Sequence, residues 1–224
     1  MYKRQDLAES ITRSEDGRTY NVQLRQDTQF HDGSKLTARD VAYTISLIQN
    51  PDLKSPLRGN WEGVLVEELG EYELNIVLED AYTPFLENFT VGILPRGLWD
   101  ELPTEQLPFS QHNTEPVGTG PYYVSDALRN KSGLINAYKL SVYNNREARP
   151  KIETLVFNFY QTEALLIEAL EDNEIASTPS LSVESLSEID ADDYTIIEKP
   201  LPRTFSVFFN QNRSTALRDS AVRE

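Results

Sequence analysis

The sequence predicts an α+β fold with mixed sheets, and three stretches predict it. Tyr20, Val22 and Leu24 alternate with Asn21, Gln23 and Arg25, the period-2 pattern of a strand with one buried face. Val41, Ile45 and Ile48 mark one apolar face of a helix that Thr37 can cap and Asn50-Pro51 stops. Further on, Leu155, Phe157 and Phe159 alternate along Glu153–Tyr160, just before Leu165, Leu166 and Ala169 take up helical spacing.

Taken in order, Leu7 to Arg25 reads as a β-hairpin turning at Glu15-Asp16-Gly17. His31-Asp32-Gly33-Ser34 supplies turn chemistry, with Gly33 free to take positive φ and Asp32 able to bond its own backbone. The helix of Thr37 to Gln49 follows, Asp40 standing where a short acid answers its cap. Pro51 to Gly63 is a polar loop holding one large aromatic, Trp61. Val64–Glu68 and Glu73–Leu78 read as a second hairpin. Thr83-Pro84 starts a short helix reaching about Asn88, since proline costs nothing at the first helical position. Ile93-Leu94-Pro95 gives a short strand and Leu98-Trp99 a helical turn.

Pro103 to Glu115 is the clearest internal boundary, polar and proline-rich with no hydrophobic period. Beyond it Gly118-Thr119-Gly120-Pro121 opens a strand at Tyr122 and Val124, and Ala137–Tyr143 is its antiparallel neighbour. The strand Glu153–Tyr160 and the helix Thr162–Leu170 follow. Tyr194–Glu198 and Thr204–Phe209 are the last predicted strands.

The chain has 224 residues, enough for one large domain or two small ones with a real core. Its 21 Lys and Arg against 36 Asp and Glu leave a formal net charge of -15. Nucleic acid and anionic membrane surfaces need a basic face, so this balance argues against both as partners. With no cysteine there is no disulfide framework, thiolate nucleophile or cysteine metal site. No apolar run approaches membrane-spanning length, and no signal peptide is visible.

Candidate chemistry is thin. His31 and His112 sit far apart in predicted loops, where a structural hydrogen bond is the simpler role. No Gly-x-Ser-x-Gly elbow occurs, and Gly118-x-Gly120 lacks the third glycine and the context of a dinucleotide loop. The acidic run Glu188–Asp193 lacks the central glycine and closing glutamate of a calcium loop, and reads as a solvated helix end. No catalytic residue, metal site or cofactor follows from these residues. Trp61 is open to two roles: stacking on a ligand, with its indole N–H as donor, or plugging the core beneath its loop.

Four blocks carry a resemblance. They are Leu7-Ala8-Glu9-Ser10 with Ser14-Glu15-Asp16-Gly17 and Thr19-Tyr20; then Leu24-Arg25, Phe30-His31-Asp32-Gly33 and Leu36-Thr37-Ala38-Arg39-Asp40-Val41. Pro116-Val117-Gly118-Thr119-Gly120-Pro121-Tyr122 follows, and Phe209-Asn210 with Asp219–Glu224 closes the set. In this order they resemble the oligopeptide/dipeptide/nickel family of bacterial extracellular solute-binding proteins, family 5. The resemblance implies a periplasmic-binding-protein-like fold of type II, cluster C. It divides the chain into an accessory domain (7–115), part of a first ligand-binding lobe (116–212) and the start of a crossover to a second lobe (213–224). Family members carry a signal and a first strand before the position of Leu7 and a further lobe after Glu224, so a fragment is expected. Residues 1–6 are expected to be adapter-derived or disordered.

The same resemblance implies the site residues. Relatives present an aromatic from the Trp61 loop into the ligand cleft, which makes Trp61 a ligand residue and Asn60 its companion. The stretch Asp172-Asn173-Glu174-Ile175-Ala176 matches a Gly-Glu-Ile-Asp segment, with Asn173 for the usual Gly and Ala176 for the usual Asp. The residues after it, Ser177, Thr178 and Pro179, would face the cleft. So would the non-core face of the strand Phe205–Asn210, namely Ser206, Phe208 and Asn210, with Phe208 favouring a less polar ligand.

The implied function is solute capture for an ABC importer, without catalysis, in a periplasmic or extracytoplasmic, membrane-associated setting. The implied partners are a peptide or small solute and the importer's membrane subunits, with the membrane itself reached only through a lipid anchor or the importer in the full-length protein. A ligand-sensing domain of a transcription regulator shares the fold and is the alternative; an acidic extracellular hydrolase is the third. An open lobe should also leave sheet edges and an apolar face exposed, favouring aggregation.

Overall fold

The computed structural model describes residues 7–144, 150–179, 181–187, 189–190, 193–198, 209–210, 213–214 and 216–223. It divides into two units, residues 1–161 and 162–224, and the expected division at Pro116 falls inside the first.

The first unit is built on a four-stranded antiparallel sheet of order β1-β2-β4-β3, formed by β1 (Ala8–Arg13), β2 (Thr19–Leu24), β3 (Leu65–Gly70) and β4 (Glu73–Val77). The alternation in β2 does what the sequence predicts: Tyr20, Val22 and Leu24 are buried and the residues between them are not. Val22 stands opposite Leu74 and Tyr20 opposite Ile76, so one face of the sheet is apolar across the central pair. Helix α1 (Ala38–Gln49) contributes Val41, Ile45 and Ile48 to the same core, with Phe30 and Leu36 fully enclosed at its N-terminal side.

The start of α1 is fixed by Asp40. Its Oδ2 accepts from the Thr37 N–H and hydroxyl, both at 2.8 Å, and its Oδ1 accepts from the Arg96 N–H at 2.8 Å. One turn on, the Thr44 hydroxyl donates to the Asp40 carbonyl and accepts from the Leu94 N–H. These bonds take up residues 94–96, which are not the predicted strand but lead into the short helix α3 (Arg96–Trp99). The expected irregular boundary is two 3-10 turns instead, Thr104–Phe109 and Gln111–Asn113, and the expected helix at Thr83 is a 3-10 helix to Thr90.

A second antiparallel sheet has the order β5-β6-β7, from β5 (Tyr122–Arg129), β6 (Ile135–Val142) and β7 (Thr154–Asn158). Its first hairpin is longer than the sequence suggests. Gly133 takes φ 80 in the turn, and Asn130 Oδ1 accepts from the Ser132 and Leu134 N–H groups. The second unit contains α4 (Glu163–Glu171), α5 (Val183–Leu186) and α6 (Ser220–Arg223). Tyr194–Glu198 is not a strand, and residues 204–208 of the other predicted strand lie outside the described residues, as do residues 1–6.

Candidate functional site

The loop after α1 folds into a short 3-10 turn and then α2 (Arg58–Trp61), which swings Trp61 inward and leaves Asn60 on the surface. Trp61 is only 2% exposed. Its ring meets Phe85 edge-on at 5.2 Å and Phe89 at 6.4 Å, and both phenylalanines also pack on Tyr20. Gln49 Nε2 donates to the Trp61 and Val64 carbonyls at 2.7 Å, locking the loop onto the end of α1. Trp61, expected against a solute, is therefore a core residue here, because two phenylalanine rings and the apolar core around them offer it more contact than the loop surface does. Asn60 Nδ2 donates to Asn88 Oδ1 at 3.2 Å.

Ser177, Thr178 and Pro179 lie in the second unit, in the segment joining α4 to α5, with Ser177 and Pro179 exposed and Thr178 half-buried. The exit from α4 explains Asn173. It takes φ 59, and the helix closes with Asn173 N–H on the Leu170 carbonyl and Glu174 N–H on the Ala169 carbonyl. This is a left-handed helix end that glycine favours and asparagine tolerates. Ser206 and Phe208 lie outside the described residues.

The histidine of the Phe30-His31-Asp32-Gly33 block has a structural task. His31 Nδ1 accepts from the Gly118 N–H at 3.2 Å, and its Nε2 is 3.0 Å from the Gly120 carbonyl. Gly33 takes φ 85 in this turn, and Tyr143, edge-on to the imidazole at 5.0 Å, donates its hydroxyl to the Phe30 carbonyl at 2.7 Å. His112 packs its ring beside Trp99.

An open cleft of about 520 Å³ beside α1 is lined by Asp32, Lys35, Arg39, Asp40, Arg96 and Asp100. Several of its charges are engaged locally: Arg96 pairs with Asp100 at 2.9 Å, Arg39 with Glu68 at 3.8 Å, and Asp40 is filled by its cap bonds. Among the described residues no three His, Asp or Glu side chains gather as a metal site, and no helix is long and apolar enough to cross a membrane.

Comparison with known proteins places this architecture. The solved oligopeptide-binding protein AppA of Bacillus subtilis, in complex with a nonapeptide, matches with a TM-score of 0.68 and 27% identity, covering 76% of this chain and 34% of that one. The fold is that of a type II periplasmic binding protein. In sequence the chain is 27% identical to the same AppA over 197 residues, 86% of this chain and 34% of the relative. It is 30% identical to the nickel-binding periplasmic protein of Escherichia coli over 177 residues, 75% of this chain and 32% of the relative. The chain belongs to the bacterial extracellular solute-binding proteins, family 5, whose "Middle" profile matches residues 4–224. It spans about a third of the length of these curated relatives.

Two features of the site escaped the sequence. The tie between His31 and the Gly118–Gly120 turn joins two of the resembling blocks, and only their joint presence could have signalled it. The other is Glu163 in the first turn of α4, whose carboxylate accepts from Ser182 and Ser185. Its signal was an acid after the helix cap facing a Ser-x-x-Ser start of the next helix.

Proposed function

We propose that these residues form part of the solute-binding component of a bacterial ABC importer, capturing peptides or a similar small solute outside the cytoplasm. The observation that carries this reading is the family match across residues 4–224. Residues 7–115 act as the accessory domain, 116–212 as part of the first ligand-binding lobe, and 213–224 lead towards a second lobe. Within the first unit Asn60 is read as a solute contact, with Trp61 serving from beneath by fixing the loop that presents it, and within the second unit Ser177, Thr178, Pro179, Ser206 and Phe208 are read as solute contacts. The lobes close on the solute because the closed state makes contacts the open state lacks, and the closed form engages the importer's membrane subunits. The solute is handed on unaltered.

The chain spans about a third of the relatives' length, and on this reading a second lobe supplies further solute contacts. Calorimetric titration of a mixed pool of peptides into the 224-residue chain is expected to show no binding tighter than about 1 mM. The product of a reading frame that adds the second lobe should bind members of the same pool. Micromolar binding to the 224-residue chain would contradict the two-lobed reading.

A further inference from the structure

The Ser177–Pro179 segment leaves one helix and returns to the start of another, and both of its ends are fixed. On the outgoing side stands the left-handed Asn173 with its two backbone bonds to the last turn of α4. On the returning side the bonds converge on one carboxylate. Glu163 Oε2 accepts from the Ser182 hydroxyl at 2.7 Å and the Ser185 hydroxyl at 2.5 Å, while Oε1 accepts from the Ser182 N–H at 3.1 Å. Since α4 has nine residues and rises about 13 Å, Glu163 and Asn173 hold the two arms at opposite ends of the helix.

Glu163 is not needed to start α4. Thr162 already caps that helix, its hydroxyl accepting from the Leu165 N–H at 3.3 Å. The Ser182 hydroxyl likewise caps α5 by accepting from the Ser185 N–H at 3.1 Å. What Glu163 adds is the tie between the two caps. Its bonds are charge-assisted, the stronger kind, and Ser185, one of the two donors, is 9% exposed.

We infer that Glu163 is the positioning residue of the Ser177–Pro179 segment, holding the returning chain in place through its bonds to Ser182 and Ser185. The inference rests on the reading of that segment as part of the solute wall. From α5 the groups facing the carboxylate are the two hydroxyls and one N–H, with Glu184 the acid on that helix; α4 itself carries Glu168 and Glu171. The hydroxyls of Ser185 and then Ser182 hold the carboxyl below the usual glutamate range.

The test is amide NMR on the 224-residue chain, without solute, comparing it with Glu163→Gln and Ser185→Ala. In the parent, the Ser182, Ser185, Ser177 and Thr178 cross-peaks should shift together on acidification, with a midpoint below the ordinary glutamate value. Glu163→Gln should abolish that titration and speed amide exchange at Ser177 and Thr178 about tenfold, leaving Ile167 and Leu170 unchanged. Ser185→Ala should raise the midpoint. Unchanged exchange at Ser177 and Thr178, or equal acceleration throughout α4, would overturn the inference. Because no solute is present, that failure removes the positioning role alone. A two-lobed product that binds no peptide would instead remove the reading of the segment as a solute wall.

Discussion

His31 and Gly118, 87 residues apart, are joined twice: the Gly118 N–H donates to His31 Nδ1 at 3.2 Å, and the His31 N–H donates to the Gly118 carbonyl at 2.8 Å. The first bond settles the tautomer, for an accepting Nδ1 leaves the hydrogen on Nε2, where it is donated to the Gly120 carbonyl. A turn in the first sheet's loop is thereby clasped to the turn that opens β5.

Removing the imidazole should release that clasp. His31→Ala loses two side-chain hydrogen bonds, leaving the Gly118 N–H and the Gly120 carbonyl without the imidazole, and is expected to cost about 2–3 kcal/mol. Denaturant unfolding of the parent and variant checks the cost. Nitrogen-15 shifts of the parent imidazole at neutral pH should report the Nε2–H tautomer; the Nδ1–H form would contradict the geometry.

Trp61 gives an optical check. Both tryptophans are buried, Trp61 at 2% and Trp99 at 6% exposure. Emission should therefore be blue-shifted and poorly quenched by acrylamide. Trp61→Ala should destabilise by about 3–5 kcal/mol, as large-to-small changes in a packed core do. Red-shifted emission from Trp61 in a Trp99→Phe background would show the ring to be outside the core.

Acid should weaken the fold at three carboxylates. Asp16 is held below its ordinary value by the Ser14 hydroxyl and then the Arg18 N–H, Glu73 by the side chains of Asn21 and then Gln23, and Glu163 by Ser185 and then Ser182. A folded-state value below the unfolded one makes a contribution that is present above the unfolded value and lost as pH falls through the folded one. Stability should thus hold above about pH 5 and decline below about pH 4, and Glu73→Gln should flatten part of that decline. A chain that gains stability on acidification would contradict this.

The face of β7 predicts sticky behaviour. Phe157 and, one residue past the strand, Phe159 share one side and are 51% and 54% exposed, although Phe159 meets Tyr138 edge-on at 5.7 Å; Val156, on the opposite side, is 55% exposed. Among the described residues β7 has no strand on its outer side. The 224-residue chain should bind an apolar dye such as ANS and self-associate, and Phe157→Ser with Phe159→Ser should reduce both. A dye-silent monomer in light scattering would show that face to be covered.

Local pattern made the β2 strand and the cap of α1 legible, because alternation and a Thr-x-x-Asp start state their own consequences within a few residues. Trp61 was not legible in the same way. A lone aromatic in a polar loop gives no direction, and its partners Phe85 and Phe89 come from a later segment. The β5–β6 turn was missed although Asn130 and Gly133 are ordinary turn residues, since the strands around it alternate weakly. Tyr194–Glu198 has the β-branched composition of a strand but no partner strand in the described residues, and composition alone does not make a ladder. Asn173 was readable only through the resemblance, as a residue standing where glycine is usual; its φ of 59 supplies the reason.

The most direct measurement is calorimetric titration of a defined peptide pool into the product of a reading frame joining these 224 residues to a second lobe, followed by mass spectrometry of the recovered peptides. Saturable binding with a negative heat-capacity change, and peptides recovered intact, is the predicted result. Peptides returned cleaved, or no binding by any member of the pool, would contradict it.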